Sequence, residues 1–265
     1  MNQKLTDFFD RQLSSWPLAS ANYAKLREVE IRTVEVDGYP VRLHFNPARA
    51  VSSQAKLDPG SIAARPCFLC HSNRPEEQLS QPLLERYTLL VNPFPICTRH
   101  FTVAASQHEP QDFDSSRLND MLRLAHAFEG ETVLYNGAQA GASAPDHFHF
   151  QVVNTDWFHM PVETPLPFVN RIVLQGKNPA AITRDFGSLH FNTVLCNLFC
   201  RYEDHQWTLV VFPRKRHRPI QFFDGSFLVS PGAIDMTGNL IITRRDDFDR
   251  LEAEDIADIY RQVSL

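Results

Sequence analysis

The sequence predicts an α+β protein in which antiparallel sheets carry packed helices, and three observations point there. Two turn signals, Asp37-Gly38 and Glu203-Asp204-His205-Gln206, each separate two strand-like runs and so mark hairpins. Apolar residues recur at helical spacing near both ends of the chain and in its middle. Each half offers antiparallel strands with helices, which predicts two similar halves, 1–155 and 156–265, although the letters show no internal repeat.

Leu5, Phe8, Phe9, Leu13 and Trp16 make an apolar stripe, predicting an amphipathic opening helix closed by Pro17. Val29 to Val36 and Tyr39 to Phe45 alternate on either side of the Asp37-Gly38 turn. Residues 46–82, rich in Pro, Ser and polar groups, read as a long ordered loop holding Cys67-Phe68-Leu69-Cys70. Tyr87 to Val91 and Phe101 to Ala105 read as strands around the turn Asn92-Pro93-Phe94-Pro95. Ser115 or Ser116 is expected to cap a helix running to about Phe128, with Leu118, Met121, Leu122 and Ala125 buried. A short strand, Thr132 to Tyr135, precedes a loop of small residues and a histidine-bearing strand. Later, Val194 to Phe199 and Trp207 to Phe212 form the second hairpin. A strand at Leu240 to Thr243 and a helix from about Phe248 to Val263 close the chain.

With 265 residues, 43% of them hydrophobic, the chain can bury a full core. A net charge of −5 argues against coating nucleic acid, which needs a basic excess to displace counterions; a local basic site still suffices for a small anion. Met1 to Trp16 lacks the continuous apolar run of a signal peptide, and no run approaches the ~20 apolar residues that span a bilayer. A cytoplasmic protein with no membrane partner is expected. Five cysteines, an odd number with one Cys-x-x-Cys, suit a metal or redox pair in a reducing compartment better than a disulfide framework.

Strand alternation in Asp146-His147-Phe148-His149-Phe150-Gln151-Val152-Val153 predicts His147, His149 and Gln151 on one face. Phe148, Phe150 and Val152 fall on the other, buried against helices. Just upstream, Asn136-Gly137-Ala138-Gln139-Ala140-Gly141-Ala142-Ser143-Ala144-Pro145 is almost all small residues, so its backbone N–H groups can approach an anion and cradle a phosphate. A neutral imidazole can attack an α-phosphorus to form a phosphoramidate, splitting one displacement into two easier ones. The blander alternative is a polar stripe on a sheet beside an ordinary glycine turn.

Cys67 and Cys70 have metal-knuckle spacing, and His108 and His147 are candidates to complete a tetrahedral site, with His71 able to replace His108. A redox pair and two unliganded thiols are the alternatives, while Cys97, Cys196 and Cys200 read as buried thiols. Arg214, Lys215 and Arg216, in a basic stretch that ends at Arg218-Pro219, follow an apolar strand. They are expected to place positive charge at the mouth of the site, unless that loop is simply solvated. Arg74 is a further candidate for a phosphate or a solvated loop.

Gly141-Ala142-Ser143-Ala144-Pro145 followed by His147-Phe148-His149-Phe150-Gln151 resembles the Gly-x-Ser-x-Pro…His-x-His-x-Gln signature of one branch of the histidine-triad (HIT-like) superfamily. That branch holds galactose-1-phosphate uridylyltransferases, diadenosine tetraphosphate phosphorylases and GDP-hexose phosphorylases. The resemblance implies a HIT-like fold in each half, with the second half completing the substrate pocket. It implies His149 as the nucleophile, Gln151 and Ser143 on the transferred phosphate, and Asn136 holding the loop or the phosphate. It also implies a structural zinc on Cys67, Cys70, His108 and His147, and a nucleoside-binding segment at Asn92-Pro93-Phe94-Pro95-Ile96. A segment from Ser230 through Asp235 to Arg245 resembles the C-terminal part of GDP-hexose phosphorylases. One residue departs from the wider signature: Asp146 stands between Pro145 and His147, where GDP-hexose phosphorylases also have a polar residue.

The expectation is therefore a nucleotidyltransferase of the phosphorylase type acting through a covalent His149–NMP. Its leading substrate is an NDP-hexose of the GDP-hexose type, cleaved by inorganic phosphate. The alternatives are a dinucleoside polyphosphate such as diadenosine tetraphosphate, a hydrolase, or a non-catalytic nucleotide-binding protein with structural zinc. A homo-oligomer is compatible with the sequence.

Overall fold

The structure, a computed structural model, describes residues 3–154 and 165–265. The expected boundary between the halves, at 155 and 156, lies outside the described residues. The fold is α+β. A small sheet joins β1 (Glu30–Val36) and β2 (Tyr39–Phe45), paired antiparallel, to β11 (Asn239–Ile242), which lies parallel to β2. Among the described residues, eight strands form a large antiparallel sheet. Its order is β3 (Gln81–Leu83), β4 (Tyr87–Val91), β5 (His100–Ala105), β7 (His149–Asn154), β6 (Glu131–Asn136), β9 (Cys196–Glu203), β10 (Gln206–Pro213) and β8 (Ile172–Gly176). Strands from the two ends of the chain meet at β6 and β9, where Val133 pairs with Cys200.

The large sheet is buried on both faces, which explains the continuous apolar runs in β9 and β10. On one side Leu198, Cys200, Leu209 and Val211 join a core with Phe8 and Phe9 of α1 (Gln3–Ser15) and with Leu118, Met121, Leu122 and Ala125 of α5 (Ser115–Ala127). Ile182 and Phe186 of α6 (Pro179–Gly187) complete it. On the other side Phe199, Val210 and Phe212 meet Val41 and Leu43 of the small sheet and Ile256, Ile259 and Tyr260 of α9 (Ala253–Val263). Phe148, Phe150 and Val152 belong to the helical core and Val153 to the opposite one. Period-two alternation then turns His149 and Gln151 toward the small-sheet side. Burial of each phenyl contributes about 1.5–3 kcal/mol, so β7 is well anchored.

Both hairpins form at the expected turns, with Asp37 and Gly38 at φ +50° and +79° and Asp204 and His205 at φ +50° and +59°. Other elements depart from expectation for identifiable reasons. The opening helix closes at Ser15 ahead of Pro17, as expected, but the proline, tolerated in a first turn, also opens a second helix, α2 (Pro17–Lys25). Residues 46–82 are no plain loop: they hold short helical turns, α3 (Ala50–Ser53) and α4 (Pro59–Ala64), and the edge strand β3. Asp114, rather than a serine, caps α5 by accepting from the Arg117 N–H at 2.8 Å. The closing helix is two helices, α8 (Arg245–Arg250) and α9, since Glu252 and Asp255 form a capping box that restarts it. Strand β8, helix α6 and the short α7 (Ile220–Asp224) were not foreseen, although Asn178-Pro179 is an N-cap signal and the Asn178 side chain does accept from Ala180 N. Among the described residues no helix is long and apolar enough to cross a membrane.

Candidate active site

A cleft of about 380 Å3 opens on the small-sheet side of β7 and is lined from both ends of the chain. His149, Gln151, Ser143, Gly141, Asn136, Asn92 and Phe94 all line it, together with Arg218, Gly232 and Asp235 from the second half. His149 is 5% exposed. Its Nδ1 lies 2.9 Å from the His147 carbonyl, which can only accept, so Nδ1 carries the proton and Nε2 keeps its lone pair. Burial pushes the His149 pKa down to about 4, leaving the ring neutral at physiological pH.

Gln151 is oriented in the same way. Its Oε1 lies 2.6 Å from His100 Nε2, and the other His100 nitrogen accepts from the Ile96 N–H at 3.3 Å. His100 therefore donates to the carbonyl end of Gln151, so the amide NH2 is the end left for the cleft. Burial and the nearby Arg49 bring the His100 pKa to about 3, which keeps this pair neutral. The turn after β4 is pinned by side chains: Asn92 Oδ1 accepts from Phe94 N at 3.0 Å, and Asn22, Arg49 and Asn46 donate to the carbonyls of Pro93, Phe94 and Pro95.

The small-residue loop is built for close approach. Gly141, at φ +97°, packs so tightly on the second half that a Cβ there would lie 2.6 Å from the Gly232 Cα. Asn136 fastens the same contact, its Oδ1 accepting from Asn197 Nδ2 at 2.8 Å and from the Ala233 N–H at 2.7 Å. Gly137 does not line the cleft; it abuts the carbonyls of 193–196, and a Cβ would lie 2.6 Å from the Val194 oxygen.

His147 lies just before β7, which begins at His149, and a turn closed by His147 N to the Ala144 carbonyl at 3.2 Å sets the His147 ring beside Cys67. His147 Nδ1 lies 3.2 Å from Cys67 Sγ and 3.6 Å from Cys70 Sγ, while His108 Nδ1 lies 3.3 Å from Cys70 Sγ. All four ligand atoms are within 4.8 Å of one another. A tetrahedron with bonds of about 2.0–2.3 Å has edges of about 3.3–3.8 Å, so the spacing fits zinc. His147 Nε2 donates to the Ala105 carbonyl at 2.8 Å, which leaves Nδ1 unprotonated and free to ligate. Burial opposes ionisation of Cys67, but a hydrogen bond from Nδ1 of the protonated His147 ring and those from the amides of Leu69 and Cys70 outweigh it and bring the thiol to about 6; in the neutral ring the same Nδ1 is the ligating atom. His71 is outside the cluster, and the inserted Asp146 pairs with Arg65 at 2.6 Å.

The basic stretch behaves differently from expectation. Arg214 is buried behind the cleft and donates to Asn197 Oδ1 and to the carbonyls of Val263, Pro231, Arg216 and His217, because the chain here is clamped by a bridge to Ser264. Lys215 and Arg216 are exposed and do not line the cleft. His217 and Arg218 do. Arg74 lies outside the lining, beside Cys70, with Nε and one terminal nitrogen buried and unpartnered. Sequence reasoning missed Arg49 and Gln111: neither sits in a motif, and only the fold brings them to the cleft and to the His149 backbone.

The family model described as "Domain of unknown function (DUF4922)" matches residues 8–154, more than half of the chain. No curated protein matches the sequence. Among solved structures, yeast Ap4A phosphorylase Apa2 in complex with Ap4A aligns with a TM-score of 0.61 at 15% identity, covering 94% of this chain and 96% of that one. The complex of the same yeast protein with AMP gives 0.58 at 16% identity, covering 95% and 96%. Likeness at this level of identity shows a shared fold over nearly the whole of both chains.

Proposed function

The chain belongs to the DUF4922 family, and we propose that it is a nucleotidyltransferase of the phosphorylase type working through a covalent His149–NMP. The observation that carries this reading is the tautomer of His149: Nδ1 bonded to a backbone carbonyl and a neutral Nε2 lone pair in a cleft beside Ser143 and Gln151. His149 Nε2 attacks the α-phosphorus, forming the N–P bond as the P–O bond to the leaving group breaks and that oxygen takes the electron pair. The Gln151 amide and the Ser143 hydroxyl donate to the phosphate oxygens. The His147 carbonyl stabilises the positive charge left on the phosphorylated ring. An oxygen of inorganic phosphate then attacks the same phosphorus, the N–P bond breaks, and NDP leaves.

The leading substrate is a dinucleoside polyphosphate. The fold shared with an Ap4A phosphorylase supports it, as does the Gly-x-Ser-x-Pro…His-x-His-x-Gln run. Asp146 favours a second reading, an NDP-hexose of the GDP-hexose type, because it matches the GDP-hexose phosphorylases at the point where the other branches differ. A zinc ion on Cys67, Cys70, His108 and His147 would tie the 65–74 loop to the turn before β7, a structural role that leaves His149 unligated. The deciding experiment is chromatographic detection of NDP after incubation with diadenosine tetraphosphate and with GDP-, UDP- and ADP-hexoses, with and without phosphate, beside His149→Ala. Phosphate-dependent NDP that disappears in the variant supports the reading and names the substrate. Normal turnover by His149→Ala overturns it, and tight nucleotide binding without turnover would indicate a sensor.

A further inference from the structure

Arg49 and Arg218 are the only Lys or Arg side chains among the described residues that line the cleft. Each directs part of its guanidinium to neutral acceptors. Arg49 donates to the Phe94 carbonyl at 2.5 Å; Arg218 donates to Ser230 Oγ at 2.9 Å and to the carbonyls of Ser53 and Ala55, both at 3.0 Å. Among the described residues neither has a carboxylate at ion-pair distance. The carboxylate of the lining, Asp235, has its two oxygens occupied by the amides of Gly232 and Ile241, each at 2.8 Å. Its field is shared between Arg49 and the buried Arg214. Two arginines therefore share one carboxylate, and Arg218 has none. Burial brings the guanidinium pKa of both Arg49 and Arg218 down to about 10, as expected for cations short of counter-charge.

The two residues also border the two ends of one short helix. Arg49 immediately precedes α3, and Arg218 reaches from the second half to the carbonyls at the end of the same short helix. Val51, Leu57, Leu134 and Ala142 make much of the surrounding wall apolar, so uncompensated positive charge here is costly until an anion arrives.

We propose that Arg49 and Arg218 form an anion subsite for the phosphates beyond the one attacked by His149. It holds the terminal phosphates of a leaving nucleoside polyphosphate and, in the return half-reaction, inorganic phosphate. The assignment to these reaction partners rests on the nucleotidyl transfer proposed above; the anion subsite itself rests on the arginines. In-line displacement puts the leaving and the entering oxygen on the same side of the phosphorus, opposite His149, so one subsite serves both. Guanidinium forks suit such phosphates because they donate two parallel hydrogen bonds.

The test is calorimetric titration of tripolyphosphate into the full chain, comparing wild type with Arg218→Gln, Arg49→Gln and Arg218→Lys, each checked for a native circular dichroism spectrum. Binding is expected to weaken roughly tenfold or more in each glutamine variant, as loss of a charged hydrogen-bond donor implies. The lysine variant should fall between, since it keeps the charge and loses the fork. Equal binding by wild type and both glutamine variants, or no binding by wild type, overturns the subsite. Arginine-dependent tripolyphosphate binding in a protein that turns over no nucleotide would leave the subsite standing and sink the transfer reaction alone.

Discussion

The side-chain amide of Gln111 replaces a piece of sheet at His149: Oε1 accepts from the His149 N–H at 2.8 Å, and Nε2 donates to the His149 carbonyl at 3.0 Å. The same Nε2 donates to the Asn136 carbonyl at 2.9 Å. Pairing of β6 with β7 runs from Glu131 and Asn154 to Leu134 and Gln151 and stops there. The two strands part where the cleft begins, and Gln111, fully buried, satisfies the backbone groups that the parting exposes.

Gln111→Leu removes all three hydrogen bonds while keeping an apolar filler. Each buried backbone group left unpaired costs about 1–3 kcal/mol, so a loss of at least about 2 kcal/mol is expected in urea unfolding. A loss below about 0.5 kcal/mol would mean that water or relaxation replaces the amide.

Gly141→Ala should be among the most damaging single-methyl changes in the chain. The new Cβ would sit 2.6 Å from the Gly232 Cα, with both partners backbone, and φ +97° is unfavourable for any side chain. A loss of about 2–4 kcal/mol and of nucleotide binding is expected, read by thermal unfolding and by titration. Gly187→Ala, where nothing lies within 4 Å, is the control and should leave both unchanged.

His100 makes stability depend on pH in a stated direction. Its folded pKa of about 3 lies below the ordinary 6.5, so the unfolded chain takes up a proton that the folded chain refuses. The contribution is complete above about pH 6.5 and is lost as pH falls toward 3. Between pH 7.5 and 5 the wild type should lose about 2 kcal/mol more than His100→Gln, measured by urea unfolding at both values. Parallel losses in the two proteins would show that His100 titrates normally.

Protein purified without added metal is expected to contain about one zinc per chain by elemental analysis. Chelation should lower the thermal midpoint and expose Cys67 and Cys70 to thiol reagents, while Cys97, Cys196 and Cys200 stay protected by burial. His108 is the exposed ligand, so His108→Ala should weaken zinc retention first. Cysteines 67 and 70 that titrate freely without chelator, with no zinc found, would remove the metal site.

Local chemistry determined much of this protein by itself. The Asp37-Gly38 hairpin, the stripe of α5, the burial of Phe148 and Phe150, and the metal-knuckle pair Cys67 and Cys70 follow from turn preference, periodicity and ligand spacing, while His108 and His147 as their partners are what the family resemblance implies. Those local signals act over a few residues, so they can be read from letters.

Tertiary structure decided what these signals do not encode. Alternation groups His147 with His149, but only the fold separates their surroundings: a turn closed on Ala144 seats the His147 ring on the cysteines while His149 lines the cleft. Charge pattern put Arg214, Lys215 and Arg216 at the cleft, whereas backbone direction buries the first, exposes the others and delivers Arg218. Arg49, Gln111 and the Gly141–Gly232 contact depend on segments about 40 to 170 residues apart in sequence meeting at ångström range. Which side chain faces a cleft is set by how sheets and loops stack around it, and that stacking is a property of the whole core rather than of any local run.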